Sequence, residues 1–324
     1  MLRLAALLLY SLALCLPSGT ASGQTYPSKP VRIIVPFPAG GLADVLTRGL
    51  AQELSRVWGQ QVISENRPGA NTIIAAEVTA KSAPDGYTML MANDPTLSSN
   101  QHLYRKLPYD PVKDFAPVVN LIAVPSVLVA NSSFPANTLQ ELIALAKQKP
   151  GEITYGTFGP GSKTHIDTEG YSALVGIKLN HVPYKGIAEV VPALLAGQIN
   201  IALAGVQPVL VHLRSGKLKA IAMATLRRSP VLPDVPTFSE AGIPNFESRS
   251  WFGLVVPVGT PRPIIDRIAA DAARIASSKL FQDKFVTGVG MEPLVLMPDQ
   301  YAEMLKADRE IYAVRMKNID VKLD

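Results

Sequence analysis

The stretch at 31–50, VRIIVPFPAGGLADVLTRGL, constrains the fold more than any other part of the chain. It begins with Val31–Val35, a β-branched run in which Arg32 is the single polar residue, and such runs are typical of parallel strands covered on both faces. Two prolines and Gly40–Gly41 follow, and from Leu42 onward leucines recur at helical spacing. The stretch therefore predicts a strand, a glycine-rich turn and a helix.

The glycine-rich turn has two interpretations. Glycine lets a backbone approach a ligand closely, and the first turn of a helix presents unpaired N–H groups and the positive end of its dipole. Ala39–Leu42 is therefore a candidate anion site. Alternatively, the turn only feeds a crossover helix, which is the commoner role of a Gly-Gly pair. Asp44 has the same ambiguity, because a carboxylate early in a helix also favours the dipole.

Residues 1–23 predict a secretory signal peptide. Arg3 supplies the positive charge, Leu4–Leu16 is the apolar segment, and small residues follow before the cleavage site. The apolar segment is shorter than the ~20 residues of a membrane span. Cys15 is the single cysteine and lies inside the signal, and the lipoprotein alternative is disfavoured. We therefore expect a periplasmic protein stabilised by core burial without disulfides.

The composition fits a two-domain α/β protein that binds small ligands. The chain has 324 residues and is 48% hydrophobic, which supports large cores. Lys and Arg exceed Asp and Glu by 31 to 26, giving a net charge of +5. The basic residues are dispersed without aromatic interleaving, which argues against nucleic acid as a partner. Alternating strand and helix patterns predict parallel sheets with helices on their faces.

Two long apolar stretches, Val118–Ala130 and Ser250–Val256, are predicted to be strands that cross between two lobes. The polar and proline-rich residues 93–115, which precede the first of these stretches, are predicted to be an irregular surface connection. The predicted organisation is a signal peptide at 1–23, a first lobe at 24–124 plus 253–324, and a second lobe at 125–252, with the ligand cleft between the lobes.

A second strand, glycine-rich turn and helix are predicted at Gly156–His165. The turn nearly matches a nucleotide P-loop, but Ser162 separates the last glycine from Lys163, and Pro160 lacks the N–H that a phosphate cradle uses. Nucleotide binding is therefore disfavoured. Tyr184–Gly186 follows the next predicted strand. Because ligands of α/β sheets bind beyond the carboxyl ends of strands, all these turns are candidates to line one cleft.

The sequence offers no catalytic or metal-binding pattern. It has no G-x-S-x-G motif, no cysteine outside the predicted signal, and no metal-ligand spacing among its four histidines. We expect no catalytic residue, metal or cofactor, and of the histidines we place only His165 near the cleft. Lys185 is either a ligand cation or a solvated loop lysine. Trp251 is either a core residue or a cleft wall.

Several motifs in one order carry a family resemblance. They are YPSKPVRIIVPFPAGGLAD at 26–44, ENRPGA at 65–70, APDGYT at 83–88, LPYDPVKDFAPV at 107–118, YGTFGPGS at 155–162, VPYKG at 182–186, LPDVPTFSEAG at 232–242 and WFGLVVPVGTP at 251–261. Together they resemble the Bug (TctC-like) extracytoplasmic solute receptors, the binding components of tripartite tricarboxylate transporters. The resemblance covers nearly the whole mature chain.

The resemblance implies a two-domain periplasmic-binding-protein (Venus flytrap) fold, α/β in class, in which each lobe is a mostly parallel sheet flanked by helices. It implies a small carboxylate held by backbone groups at Phe37–Gly41 and, from the other lobe, by Thr157–Ser162 and Tyr184–Gly186, with bridging waters. The candidate ligand contacts are Phe37, Pro38, Ala39, Gly40, Gly41, Asp44, Asn71, Thr72, Asn93, Thr157, Phe158, Gly159, Gly161, Ser162, His165, Tyr184, Lys185, Gly186 and Trp251.

This sequence departs from the family pattern at three places. Asn71-Thr72 replaces a usual Gly-Gly, Asn200 replaces a frequent aspartate, and residues 202–207 lack a common acidic residue. The ligand therefore cannot be copied from a relative.

We therefore expect the protein to be a monomeric, non-enzymatic receptor for an organic acid, amino acid or aromatic acid. Its expected partners are membrane transporter subunits. A sensor module that serves a signalling partner such as a sensor kinase, and an α/β enzyme with a convergent site, remain the alternatives.

Overall fold

The computed structural model describes residues 26–244 and 246–316, so the predicted signal peptide lies outside the described residues. None of the helices within these ranges is long and apolar enough to span a membrane. The strands are β1 (Val31–Val35), β2 (Val62–Asn66), β3 (Thr88–Ala92), β4 (Phe115–Asn131), β5 (Thr154–Thr157), β6 (Asn180–Pro183), β7 (Ile201–Gly205), β8 (Leu218–Met223), β9 (Arg249–Pro257) and β10 (Glu292–Leu296). The helices are α1 (Leu42–Trp58), α2 (Ile73–Ala80), α3 (Asn100–Leu103), α4 (Leu139–Gln148), α5 (Lys163–Val175), α6 (Ile187–Leu195), α7 (Val206–Arg214), α8 (Arg262–Ala276), α9 (Lys279–Phe285) and α10 (Pro298–Met316).

Two half-sheets share the 17-residue strand β4. Its first part, Phe115–Pro125, pairs with β9 and also carries β10. Its second part, Ser126–Asn131, lies between β7 and β8. The strand orders are therefore β2-β1-β3-β9-β4-β10 and β8-β4-β7-β5-β6. One continuous strand thus belongs to both halves of the molecule.

Two prolines lie inside β4 without ending it. Pro117 sits beside an irregularity in the pairing with β9, where the register shifts before Val119. Pro125 is the last residue paired with β9, and Ser126 begins the pairing with β7. Proline cannot donate to a strand ladder, so it is tolerated at bulges and where a strand changes partners. Pro125 interrupts the apolar sequence of Val118–Ala130, and in the structure it marks a change of partner within one strand.

The pairing directions confirm the α/β fold class. Strands β1, β2 and β3 are parallel to one another, and so are β5, β6 and β7. Every antiparallel pairing among the described strands includes β4 or β9. The carboxyl ends of each parallel set consequently meet at one sheet edge, which is where the candidate turns emerge.

Both faces of each half-sheet are covered. Ile33 and Ile34, neighbours on β1, belong to different buried apolar clusters, because successive side chains of a strand point to opposite faces. Val127 and Leu128 of β4 divide in the same way between two clusters of the second half-sheet. Burial on both faces explains why these strands show no regular polar alternation.

The prediction of an irregular surface connection at 93–115 is wrong for nearly its first half. Pro95–Ser99 forms a π-helical turn that continues into α3, and four of its five residues are buried. Side chains hold this segment, since the hydroxyl of Tyr109 donates to the Thr96 carbonyl at 2.8 Å. Strand β10 and helix α9 were also not predicted, because both are short and β10 contains Pro293.

Candidate functional site

The turn after β1 is exposed at the edge where β2, β1 and β3 end. Pro38, Ala39, Gly40 and Gly41 are exposed, and Phe37 is half-buried against the Phe252 ring at 6.0 Å between centroids. The N–H of Gly41 has no hydrogen-bond acceptor within the described chain. The turn therefore presents backbone rather than side chains to its surroundings.

Asp44 holds this turn from behind. Its carboxylate accepts hydrogen bonds from the Gly40 N–H at 2.8 Å, from Arg48 Nε at 2.9 Å and from Asn66 Nδ2 at 2.9 Å. Burial of the carboxyl opposes ionisation, but the bonds from Arg48, Gly40 and Asn66 outweigh it, and the pKa of Asp44 is lowered. Gly40 adopts φ +83°, a left-handed conformation that suits glycine. Asp44 thus orders the turn, and it occupies one of the N–H donors predicted for a ligand.

The loop after β2 is strained beside this turn. Ala70, Asn71 and Thr72 all have positive φ, at 45°, 48° and 76°, which is rare for residues other than glycine and rarer for a β-branched one. The Asn71 amide donates to Asn100 Oδ1 at 2.7 Å, and the hydroxyls of Thr72 and Thr96 are hydrogen-bonded to each other at 2.9 Å. Strain held this firmly is characteristic of functional loops.

Asn93 and Thr72 lie behind the surface of this loop. Both side chains are buried at 3% exposure, whereas Asn71 is exposed. Asn93 Oδ1 accepts from the Thr96 hydroxyl at 2.6 Å and so fixes the start of the π-helical turn. Asn71 is therefore the member of this loop that faces solvent, while a ligand contact by Asn93 or Thr72 stays a prediction.

The turn after β5 forms a second backbone surface. Gly159 and Gly161 have φ values of +106° and +73°, and Ser162 caps α5. Thr164 Oγ1 accepts from the Phe158 N–H at 3.2 Å. A glycine is needed at Gly161 because few L residues adopt a positive φ.

The third candidate turn lies against the second one. The Tyr184 N–H donates to the Thr157 carbonyl at 3.1 Å, which continues the pairing of β5 with β6 beyond the strands. Lys185 is exposed, and its backbone N–H donates to Glu189 at 3.0 Å, while Gly186 precedes α6. The structure thus brings 157–165 and 184–186 together.

Two imidazoles lie behind the second turn. The rings of His165 and His181 stack at 4.1 Å between centroids, and the ring of Tyr155 stacks on His181 at 5.1 Å. Burial, followed by the neighbouring His181, lowers the pKa of His165 to about 4. The expectation that only His165 lies near the turns is wrong. The parallel register that pairs Tyr155 with His181 puts both rings on one face, and sequence spacing does not reveal that pairing.

The two sets of turns are not bonded to each other. No hydrogen bond or ring contact within 26–244 and 246–316 joins residues 37–42, 66–72 or 93–96 to residues 157–165 or 181–186. Trp251 is buried in the core of the first half-sheet. It is 3% exposed, its ring meets the Tyr301 ring edge-on, and Nε1 donates to Asp308 at 3.1 Å. These contacts are those of a core residue.

A cavity of about 840 Å³ opens between α5 and α10, and its lining includes Lys163 and Trp251. Four exposed aliphatic side chains line it, namely Leu174, Leu226, Ile311 and Val314. The charged groups at its base, such as Arg249 with Glu247 at 3.0 Å, are paired within the protein. Within the described residues, no group of three or more His, Cys, Asp or Glu side chains is placed to hold a metal ion.

A buried charge cluster links α5 to α10 beside this cavity. Asp167 on α5 is fully buried and accepts from Lys163 at 2.5 Å, from Ser248 and from Arg315 on α10. Arg315 also donates to the Glu247 carbonyl at 2.5 Å. Burial opposes ionisation of Asp167, but Lys163 and Arg315 lower its pKa. The cluster thus fastens the helix that follows the second turn to the C-terminal helix.

A second buried aspartate, Asp94, joins the first half-sheet to the same helix. It accepts from Tyr312 of α10 at 3.0 Å and from Ser250 of β9. Burial raises the pKa of Asp94 to about 6, against the opposing attraction of Lys163, and Asp308 raises it further. Asp94 directly follows Asn93 in the first half-sheet, and Asp167 lies on the helix after the second turn. Helix α10 is therefore bonded to both walls of the candidate site, which are the two half-sheets with their turns.

The raised pKa of Asp94 gives a pH-dependent stability. The folded value of about 6 lies above the ~3.9 of an unfolded aspartate, so the contribution of Asp94 to stability is present below pH 4 and lost as pH rises through 6. The Asp94→Asn variant has no carboxyl proton to lose at this position. Its free energy of unfolding, relative to that of the wild type, should therefore rise by about 2 kcal/mol between pH 4.5 and 8. Urea unfolding at both pH values measures this. Asp234→Asn, at an exposed position, is the control, and its free energy of unfolding should follow that of the wild type at both pH values. The same change with pH in the wild type and in Asp94→Asn would contradict the prediction.

Comparison with known proteins places this site in context. The family model described as tripartite tricarboxylate transporter family receptor matches residues 46–319. The chain is 35% identical to Protein BugT of Bordetella pertussis over 324 residues, covering 100% of this chain and 99% of the relative. It resembles the solved structure of R. palustris Rpa4515 with adipate, with 32% identity, a TM-score of 0.82, and 90% and 98% of the two chains covered. It also resembles MatC (Rpa3494) from Rhodopseudomonas palustris with bound malate, with 30% identity, a TM-score of 0.77, and 90% and 100% covered.

Proposed function

The chain belongs to the tripartite tricarboxylate transporter receptor family, and from this premise we propose that it captures a small dicarboxylate in the periplasm and delivers it to a tripartite transporter. The family consists of substrate-binding receptors rather than enzymes, and its members are periplasmic. The ligand is accordingly bound and released unchanged. The finer parts of this proposal are the ligand class, the contacts and the partner.

The observation that carries the proposal is the exposed turn at Pro38–Gly41, with the unpaired N–H of Gly41 at the start of α1. Such a helix start attracts an anion through its N–H groups and dipole. The nearest carboxylate, Asp44, does not compete, because three hydrogen bonds already hold it. A ligand carboxylate on the Gly41 side of the turn therefore meets donors.

The second turn supports a ligand with two acidic ends. Its Gly159 and Gly161 N–H groups are already bonded to Thr157 and His165, so the donor that it offers a second carboxylate is the exposed ammonium of Lys185 beside it. The two similar structures that hold ligands contain adipate and malate, both dicarboxylates. One carboxylate on each turn is the arrangement we propose for this chain, with closure of the two walls around it. Ligand contacts by the side chains of Asn71 and Ser162 belong to the same proposal.

The ligand class is tested by a thermal-shift panel on protein refolded from denaturant to remove bound ligand. The panel holds mono-, di- and tricarboxylates, amino acids, aromatic acids, sugars and divalent metals. A ligand at 100 times its dissociation constant stabilises the folded form by ~2.7 kcal/mol, which raises the melting temperature of a chain of this size by roughly 4 °C. We expect dicarboxylates of four to six carbons to give the largest shifts. Hits among sugars or metals with every acid silent would contradict the proposal.

Delivery to a transporter is tested by uptake. Cells that lack this protein but keep a tripartite transporter should fail to accumulate the labelled dicarboxylate at low concentration, and the wild-type protein should restore uptake. Restoration of a signalling response without uptake would favour a sensor kinase as the partner instead.

Light scattering of the ligand-bound protein should give the mass of a monomer.

A further inference from the structure

The two glycines of positive φ in the second turn are each tied to one imidazole. The Gly161 N–H donates to Nδ1 of His165 at 3.1 Å. The Gly159 N–H donates to Oγ1 of Thr157 at 3.2 Å, and that hydroxyl lies 2.6 Å from Nε2 of His181. The ring stack is therefore connected by hydrogen bonds to both bends of the Phe158–Ser162 turn.

The bond to Gly161 defines the tautomer of the His165 ring. Nδ1 of His165 accepts from an N–H, so its proton is on Nε2. The Thr157 hydroxyl lies 2.6 Å from His181 Nε2, where the donor depends on the tautomer of that ring. His165 is therefore an acceptor toward the turn, and His181 is joined to the turn through Thr157.

The surroundings keep the rings neutral. Burial lowers the pKa of both histidines, and the rings lie 4.1 Å apart, so a charge on one opposes a charge on the other. The other titratable groups facing them are Tyr155 on β5 and Glu169 on α5, which are hydrogen-bonded to each other. Glu169 opposes the effect of burial on His181 without reversing it.

We propose that His165 and His181 are positioning residues that hold the second ligand-binding turn in shape, and that the turn is released when His165 takes up a proton. A proton on Nδ1 of His165 faces the Gly161 N–H donor and breaks that bond. The inference rests on the proposed function, because the turn is proposed to hold one end of the ligand. This role does not require either imidazole to contact the ligand.

Three substitutions separate the parts of the His165 ring. Asn carries an acceptor near the position of Nδ1 but no ring, so His165→Asn keeps the bond to Gly161 and loses the stack. His165→Phe keeps the stack and loses the acceptor. His212→Phe removes an imidazole from α7, outside the stack, and serves as the control.

The first readout needs no ligand. Histidine and amide nitrogen chemical shifts of wild-type protein are followed by NMR from pH 7.5 to 3.5. We expect His165 to be neutral with Nδ1 unprotonated at pH 7, to take up a proton near pH 4, and to shift the Gly161 amide with the same midpoint. A Gly161 amide that does not follow the His165 titration would overturn the inference.

The second readout is calorimetry with adipate as the probe. We expect His165→Phe to weaken binding roughly five- to tenfold at pH 7, the scale of one lost neutral hydrogen bond, and His165→Asn and His212→Phe to stay within about threefold of wild type. Acidification from pH 7 to 3.5 should weaken wild-type binding more than that of His165→Asn, because His165 is then mostly protonated while both proteins meet the same protonation of adipate. Equal losses in His165→Asn and His165→Phe, with unchanged pH dependence, would assign the ring a packing role and overturn the inference. If calorimetry detects no binding of adipate to the wild type while the Gly161 amide shift follows the His165 titration, the proposed ligand class fails and the positioning role stands.

Discussion

Replacing Gly41 by proline should weaken binding of a dicarboxylate by about ten- to a hundredfold, the scale of one lost hydrogen bond to a charged group. The substitution removes the N–H that we propose to face the ligand carboxylate. Gly41 has φ −75°, close to the value that proline requires, so the backbone need not move there. Calorimetry against the strongest ligand of the thermal-shift panel measures the loss.

Gly41→Ala is the matched control for this prediction. An alanine Cβ at this position would lie 3.5 Å from the Pro38 carbonyl oxygen, an ordinary contact, and alanine keeps the N–H. We expect Gly41→Ala to bind within about threefold of wild type, because no hydrogen bond is lost. Equal affinities of the proline and alanine variants, both folded, would show that the anion lies on other groups.

Replacing Arg315 by methionine should lower the free energy of unfolding by about 3 kcal/mol, the lower end of the range for breaking a buried ion pair. The substitution leaves the buried Asp167 carboxylate with Lys163 and Ser248 but without its bond to α10. Arg315 has a side-chain exposure of 15% and its partner 0%, so solvent cannot replace the lost bond. Urea unfolding at pH 7 measures the change.

The comparison is with an exposed pair of the same chemistry. Arg274 pairs with Asp271 at 3.3 Å and has a side-chain exposure of 63%, so Arg274→Met should cost less than ~1 kcal/mol. If Arg315→Met and Arg274→Met cost the same, the cluster would not fasten α10 to α5 as described.

The sequence predicted the first unit well because its signals are local. The β-branched run of Val31–Val35 and the leucine spacing after Gly41 specify strand, turn and helix without long-range information. The long strand β4 was also predicted, although Pro125 suggested a break. A proline can sit inside such a strand because β4 changes partners there, and partner choice is a tertiary property.

The parts of the site that were missed depend on pairing between distant segments. His181 is next to His165 because β5 and β6 pair in a particular register. The left-handed loop at Ala70–Thr72 is held by Asn100, which lies 29 residues beyond Asn71 in a segment expected to be irregular. Asp44 lies in the first turn of α1 and is also bonded to the turn that precedes it, while its contact with a ligand stays a prediction. None of these relations leaves a periodic pattern in the sequence.

The predicted ligand contacts and lobe boundaries remain predictions, and one measurement tests them most directly. A crystal structure of the protein with its strongest dicarboxylate ligand should show one ligand per chain. We predict one carboxylate within hydrogen-bond distance of the Gly41 N–H and the other on the turn at Phe158–Ser162, with the two walls closed around the ligand. A ligand bound in the cavity between α5 and α10, with the Gly41 turn unoccupied, would contradict the account.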